Sequence, residues 1–201
     1  MKIAQNRTSQ FRTYPFFLSC SVFLLALTIS CIERKPERLS KRESPVTGEL
    51  SSMLREHEAL SAGTARDHDL SDRVHKRHRE MIFMFLSQAL IVEPSDLHRT
   101  ALLLSGSNDA KSPDLFLLSY NLASEAAHKG NEESRYLAAA CMDQYLLSQD
   151  LPQKYGTQQY KDHFGRVCLS YFDTLTSDSE RAAWNVPSLD SLKKLVASQN
   201  R

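Results

Sequence analysis

The feature that most constrains this chain is the run from Ser112 to Gln158, SPDLFLLSYNLASEAAHKGNEESRYLAAACMDQYLLSQDLPQKYGTQ, which carries its own start and stop signals. Ser112 stands where an N-cap would, with Pro113 at the first helical position. Asp114 follows in the first turn, where unpaired N–H groups favour a carboxylate. Leu115, Leu118, Leu122 and Ala126 then recur at helical spacing and share one face. His128 and Lys129 fill the last turn, and Gly130 offers the positive φ that ends a helix. Asn131 can cap a second helix, which carries Leu137, Ala138, Ala140, Cys141 and Tyr145 on broad apolar faces and Leu147 near its end. So short a turn makes the helices antiparallel neighbours, and the alanines let their axes approach closely. Such a pair cannot bury its apolar faces alone, so the flanking segments must supply the rest of the core.

The flanks read as further helices. Glu49 to Leu60 carries Leu50, Met53, Leu54 and Leu60 as a stripe, and Ala62-Gly63-Thr64 breaks it. From Asp67 or Ser71 to Leu90 runs the longest helical pattern, with Val74, Arg77, Met81 and Phe85 along one side and Ile82, Leu86 and Ala89 extending the apolar face. Pro94-Ser95-Asp96 opens another helix through Leu104, with Leu97 and Ala101 inward. After Pro152 the spacing changes. Residues 163–172 contain the alternation Phe164, Val167, Leu169, Tyr171, which reads either as a short strand or as irregular chain closing the core. Ser177-Asp178-Ser179-Glu180 is a capping box opening a brief helix through Trp184. Ser188 caps a last helix bearing Leu189, Leu192, Leu195 and Val196. The expected fold is mainly α, a compact bundle of about six helices around the central antiparallel pair.

The amino terminus has a different character. Within residues 1–31 lie three basic side chains (Lys2, Arg7, Arg12), no acidic ones, and an apolar run from Phe16 that ends near Cys31. The run is short for a comfortable membrane span and reads as an export signal, with an uncleaved, tilted membrane anchor as an alternative. Leu27-Thr28-Ile29-Ser30-Cys31 resembles the bacterial lipoprotein signal, in which the Cys becomes the acylated first residue, although Leu27 stands four residues before the Cys rather than three. Cys20 is a weaker second candidate. Residues 32–49, rich in charge and Pro and poor in apolar groups, are expected to form a polar tether, leaving 50–201 as one helical domain. Of the 25 basic and 24 acidic residues, 22 and 24 remain beyond residue 31, a balance of about −2 that gives no reason to expect nucleic-acid binding. The expected address is the cell envelope, lipid-anchored at the outer membrane if there is one, with a secreted or periplasmic protein as the alternative.

Two clusters carry reactive side chains. Cys141 and Cys168 either pair as a disulfide or remain buried thiols. His75 and His78 have the spacing of a metal-ligand pair, but the HExxH arrangement is absent and no third ligand is indicated. HKRHRE therefore reads as a charged, solvated face, with no metal and no cofactor expected. There is no Gly-rich phosphate cradle, no GxSxG elbow and no close carboxylate pair.

The polar loop is the most particular stretch. Pro152 restricts φ, Gly156 permits a turn denied to other residues, and Thr157 and Gln158 can bond a ligand or neighbouring backbone. Pro152-Gln153-Lys154-Tyr155-Gly156-Thr157-Gln158, together with Glu180-Arg181-Ala182-x-Trp184-x-Val186-Pro187-x-Leu189, is similar to a family of uncharacterised bacterial domains with the signature Pro-Gln-x-Tyr/Phe-Gly-Thr-Gln. The resemblance spans about residues 96–195 and implies no particular activity, substrate or cofactor. The chain departs from that family at Asp143-Gln144, where Asp-Arg is usual, and at Leu104-Ser105-Gly106, where many relatives carry Gln-His-Gly. If those Arg and His side chains do chemistry, this chain has lost it.

Three functions stay open. The first is an envelope binding or scaffold domain with a protein partner, held to the membrane by its lipid anchor. The second is an envelope enzyme, a hydrolase, whose site would join Asp143, Tyr155, Gly156, Thr157 and Gln158 with His98 or His128. The third is a purely structural lipoprotein. The first is the expected one.

Overall fold

A computed structural model describes residues 44–62, 68–106 and 112–200, all of which fall in one compact unit, Lys41–Arg201. The export signal with Cys20 and Cys31, and the tether as far as residue 43, lie outside the described residues. Among those described are seven helices and one antiparallel hairpin. The order is α1 (Pro45–Ala62), α2 (His68–Ser87), α3 (Pro94–Ser105), α4 (Pro113–His128), α5 (Glu133–Ser148), β1 (Gln159–Lys161), β2 (Val167–Leu169), α6 (Asp178–Ala183) and α7 (Leu189–Gln199). None of these helices is long and apolar enough to cross a membrane.

The central pair is α4 and α5, as the punctuation requires. Gly130 sits at φ +95°, and the Asn131 side chain accepts the Ser134 N–H at 3.1 Å, capping α5. Pro113 opens α4, but the Ser112 side chain makes no cap bond, so that start rests on the proline and on Asp114. Ala123, Ala126, Ala127, Ala138 and Ala139 are all buried, which is the close approach expected of small residues. Around Ala123, Ala126 and Ala138, Leu50 and Met53 of α1, Ile82 and Phe85 of α2, and Leu97, Ala101 and Leu104 of α3 complete one core. Each large side chain buried there contributes about 1.5–3 kcal/mol.

Three expectations change. The first helix begins at Pro45 rather than Glu49, so the last part of the expected tether is folded. Ser44 Oγ accepts the Thr47 N–H at 3.1 Å, Thr47 Oγ1 donates to buried Asp96 at 2.7 Å, and Val46 enters the core. A Ser-Pro start signal outweighs polar composition there. Secondly, α2 stops at Ser87, because Ala89 takes φ +52° and turns the chain toward Ile91. Thirdly, the HKRHRE segment is not a wholly solvated face. His75 and His78 are 5% and 3% exposed, because that side of α2 turns against α1.

The carboxy-terminal third forms a smaller core of Ala139, Tyr155, Val186 and Leu192, with Met142, Leu169 and Trp184 packed on it. The alternation at 163–172 does yield a strand, Val167–Leu169, paired antiparallel with Gln159–Lys161 in the register Tyr160↔Cys168. Ser177 caps α6 through the Glu180 N–H, whereas the Glu180 carboxylate takes Lys154 Nζ at 2.6 Å. Ser188 caps α7 through the Ser191 N–H.

Candidate functional site

Asp143 lies on the face of α5 that turns toward the chain leaving the helix, and it is fully buried. Its Oδ1 accepts the N–H groups of Lys154 at 2.7 Å and Tyr155 at 2.8 Å. Its Oδ2 accepts the Thr157 N–H at 2.9 Å and the Thr157 hydroxyl at 2.8 Å. A carboxylate offers about four lone-pair sites, and all are taken by one short loop. Gly156 makes the wrap possible with φ +86°, and a Cβ placed there would stand 3.1 Å from Leu192 Cδ1.

Two further buried side chains complete the arrangement. Gln153 accepts the Gln158 N–H at 2.8 Å and donates to the carbonyls of Gln158 and Ser170 at 3.0 and 2.8 Å. Its backbone also pairs with the stretch after β2, through the Tyr171 carbonyl and the Asp173 N–H. Arg181, 1% exposed, donates Nε to the Tyr155 carbonyl at 3.1 Å and Nη1 to the Thr176 carbonyl, with Nη2 3.4 Å from the Asp173 carbonyl. The guanidinium therefore ties the loop to the approach of α6. Tyr155 is 4% exposed with its ring tilted on Trp184, and burial holds its phenol above the usual tyrosine range. Gln158 is the loosest member; its amide reaches the Ala140 carbonyl at 3.3 Å and Thr157 Oγ1 at 3.0 Å.

Asp143, Tyr155, Gly156, Thr157 and Gln158 are thus brought together, but neither histidine joins them. His98 Nδ1 meets Ser134 Oγ at 2.8 Å, and burial lowers its pKa against the opposing pull of Glu133. Ser134 is nine residues before Asp143 on α5, roughly 13 Å along the axis, and is itself fully buried. His128 lines a separate cleft of about 300 Å³ with Ala127, Arg135, Ala183 and Trp184. The hydrolase constellation is therefore not assembled.

Gln144 lies within α5, and Ser105 closes α3. Gln144 lines a shallow cleft of about 420 Å³ with Phe116, Leu147 and Ser148. Ser105 Oγ donates to the Leu102 carbonyl at 3.2 Å and lies near the thiol of Cys141, one turn away from Gln144. Burial drives that thiol up to about 12, so it is a poor nucleophile. Cys141 and Cys168 are unpaired in the structure. Cys141 is buried, whereas Cys168 is half-buried on β2 with Sγ toward the Arg166 carbonyl, so the idea that both are core thiols holds for Cys141 alone.

Neither Gln153 nor Arg181 has a role legible from its neighbours in sequence, although they stand in the stretches 152–158 and 180–189. An Arg in a six-residue helix looks like a surface charge until its acceptors, carbonyls from three separate loop positions, are known. The candidate Cys31 lies outside the described residues. No family model, curated protein or solved structure matches the chain.

Proposed function

We propose that the chain is a lipid-anchored cell-envelope binding domain, not an enzyme, in which the polar loop is a structural plug. In this reading the cleft between α4 and α5 receives the partner. The observation that carries the reading is the filled carboxylate of Asp143: with all four acceptor positions used internally, no lone pair remains to take a proton from substrate or water. The cleft adds an apolar wall (Phe116 and Leu147) and two neutral polar groups (Gln144 and Ser148), a lining suited to an apolar side chain with an adjacent backbone amide. Gln144 in place of the signature family's Arg, and Ser105 in place of its His, support binding without acid–base chemistry.

Two measurements test this. A fatty-acid analogue is expected to label the wild-type protein and not Cys31→Ala; equal labelling defeats the anchor. Envelope proteins cross-linked to the wild-type protein are expected to be lost from Gln144→Lys, which places a long cation in the cleft, and kept by Gln158→Ala. Hydrolysis of an ester or amide substrate that disappears in Thr157→Val would instead favour the enzyme.

A further inference from the structure

The contact between α1 and α2 is built on imidazoles. His57 Nδ1 lies 3.1 Å from His75 Nε2, with ring centroids 5.1 Å apart and planes inclined at 47°. His75 is buried and His57 half-buried. One helical turn beyond His75, His78 Nε2 is 2.9 Å from Glu56 Oε2, and its buried Nδ1 has no hydrogen-bond partner. His57 is also held from behind. A Cβ on Gly106, at the end of α3, would stand 2.8 Å from His57 Nε2, so the ring rests directly on that glycine.

A nitrogen-to-nitrogen hydrogen bond needs one bare acceptor, so the His57–His75 bond exists only while at least one of the two facing nitrogens is unprotonated. With both rings protonated, two N–H groups and two positive charges face one another across the same 3.1 Å. We propose that the His57–His75 contact is an acid-released clasp: it joins α2 to α1 while the pair carries at most one positive charge and lets α2 loosen when both imidazoles are charged.

The surroundings oppose the second proton. Burial is the largest influence on both rings and lowers both; His78 adds repulsion at each, and His57 adds it at His75. Among the described residues, the charged groups acting on His57 are Glu58 of α1, which favours its protonation, and His78. On His75 they are Asp72, which favours protonation, with Arg79 and His78, which oppose it. Glu56 is engaged by Arg77 at 2.6 Å and by His78, and α3 presents to His57 the backbone of Gly106 rather than a charge. Both histidines are depressed in the folded state. Their stabilising effect is complete above the ordinary histidine value of about 6.5 and is lost as pH falls below it.

The release is expected to be local. Phe83 and Met84 of α2, and Leu90 and Val92 just beyond it, are exposed, whereas the α4–α5 pair is sealed by buried alanines. The experiment is amide hydrogen exchange on the full chain between about pH 7.5 and 5, corrected for intrinsic rates. The opening constant of α2 is expected to rise below about pH 6.5 with a slope approaching tenfold per pH unit for each proton taken up, while α5 stays flat. His57→Gln and His75→Gln are each expected to flatten the α2 slope, and His128→Gln, remote from the pair, to leave it unchanged. Should either Gln variant fail to fold, imidazole titration of the wild-type protein by NMR decides, with both midpoints expected below the ordinary histidine range. An α2 opening constant independent of pH, a slope that survives in the Gln variants, or ordinary midpoints for both rings would overturn the clasp.

Discussion

The loop around Asp143 and the seam between α1 and α2 are both built from buried polar side chains, yet they are completed to different degrees. At the loop, Asp143, Gln153 and Arg181 bond backbone groups fixed by the chain itself, and every acceptor of the carboxylate is filled. At the seam, imidazole meets imidazole, His78 Nδ1 goes unpartnered, and the outer side of α2 carries exposed Phe83 and Met84. A buried polar group that is fully paired rigidifies its surroundings, and one that is partly paired leaves them responsive to protons or local opening. The loop is thus expected to behave as core, and α2 as a loosely held layer.

Substitutions sharpen this contrast in order of effect. Asp143→Ala is expected to be the most damaging, about 3–5 kcal/mol in denaturant unfolding, since four donors lose their acceptor and each buried orphan costs about 1–3 kcal/mol. A loss below about 1 kcal/mol would place the loop with α2 rather than with the core. Arg181→Met keeps much of the volume but frees the Tyr155 and Thr176 carbonyls, for an expected loss of about 2–4 kcal/mol in the same assay. Next comes Gly156→Ala, at about 1–2 kcal/mol, because a Cβ at φ +86° is strained and also presses Leu192. An unchanged midpoint there would break the account of the turn. Gln158→Ala is expected to cost less than about 1 kcal/mol, its amide bonds being peripheral. Smallest is His57→Gln at neutral pH, expected to shift the global midpoint by less than about 0.5 kcal/mol while α2 exchange responds.

What could be read in advance follows the same division. Helix starts and ends are written in neighbouring residues, so Pro94, Pro113, Gly130, Asn131, Ser177 and Ser188 were informative before any fold was known. Ser44-Pro45 carried the same signal, masked by the charge around it. The special character of Gly156 was legible because only glycine readily takes such a φ. Long-range partners were not. Asp143 meets donors 11 to 14 residues away across a change of direction, and Arg181 reaches back 26 residues to Tyr155. His57 and His75 sit on separate helices 18 residues apart, and no periodicity in either helix indicates that they face each other. The strand Gln159–Lys161 is fully exposed and shows no burial pattern, so it was defined only by its partner Val167–Leu169.

At the centre of this account, the polar loop of residues 152–158 is core, held by Asp143. The most direct measurement is amide exchange at Tyr155 and Thr157, whose N–H groups that carboxylate accepts. In the wild-type protein both are predicted to exchange as slowly as Ala138 and Ala139 of α5, through global opening, and in Asp143→Ala to exchange faster than the amides of α2. Wild-type Tyr155 and Thr157 amides exchanging at the rate of an exposed loop would contradict the account.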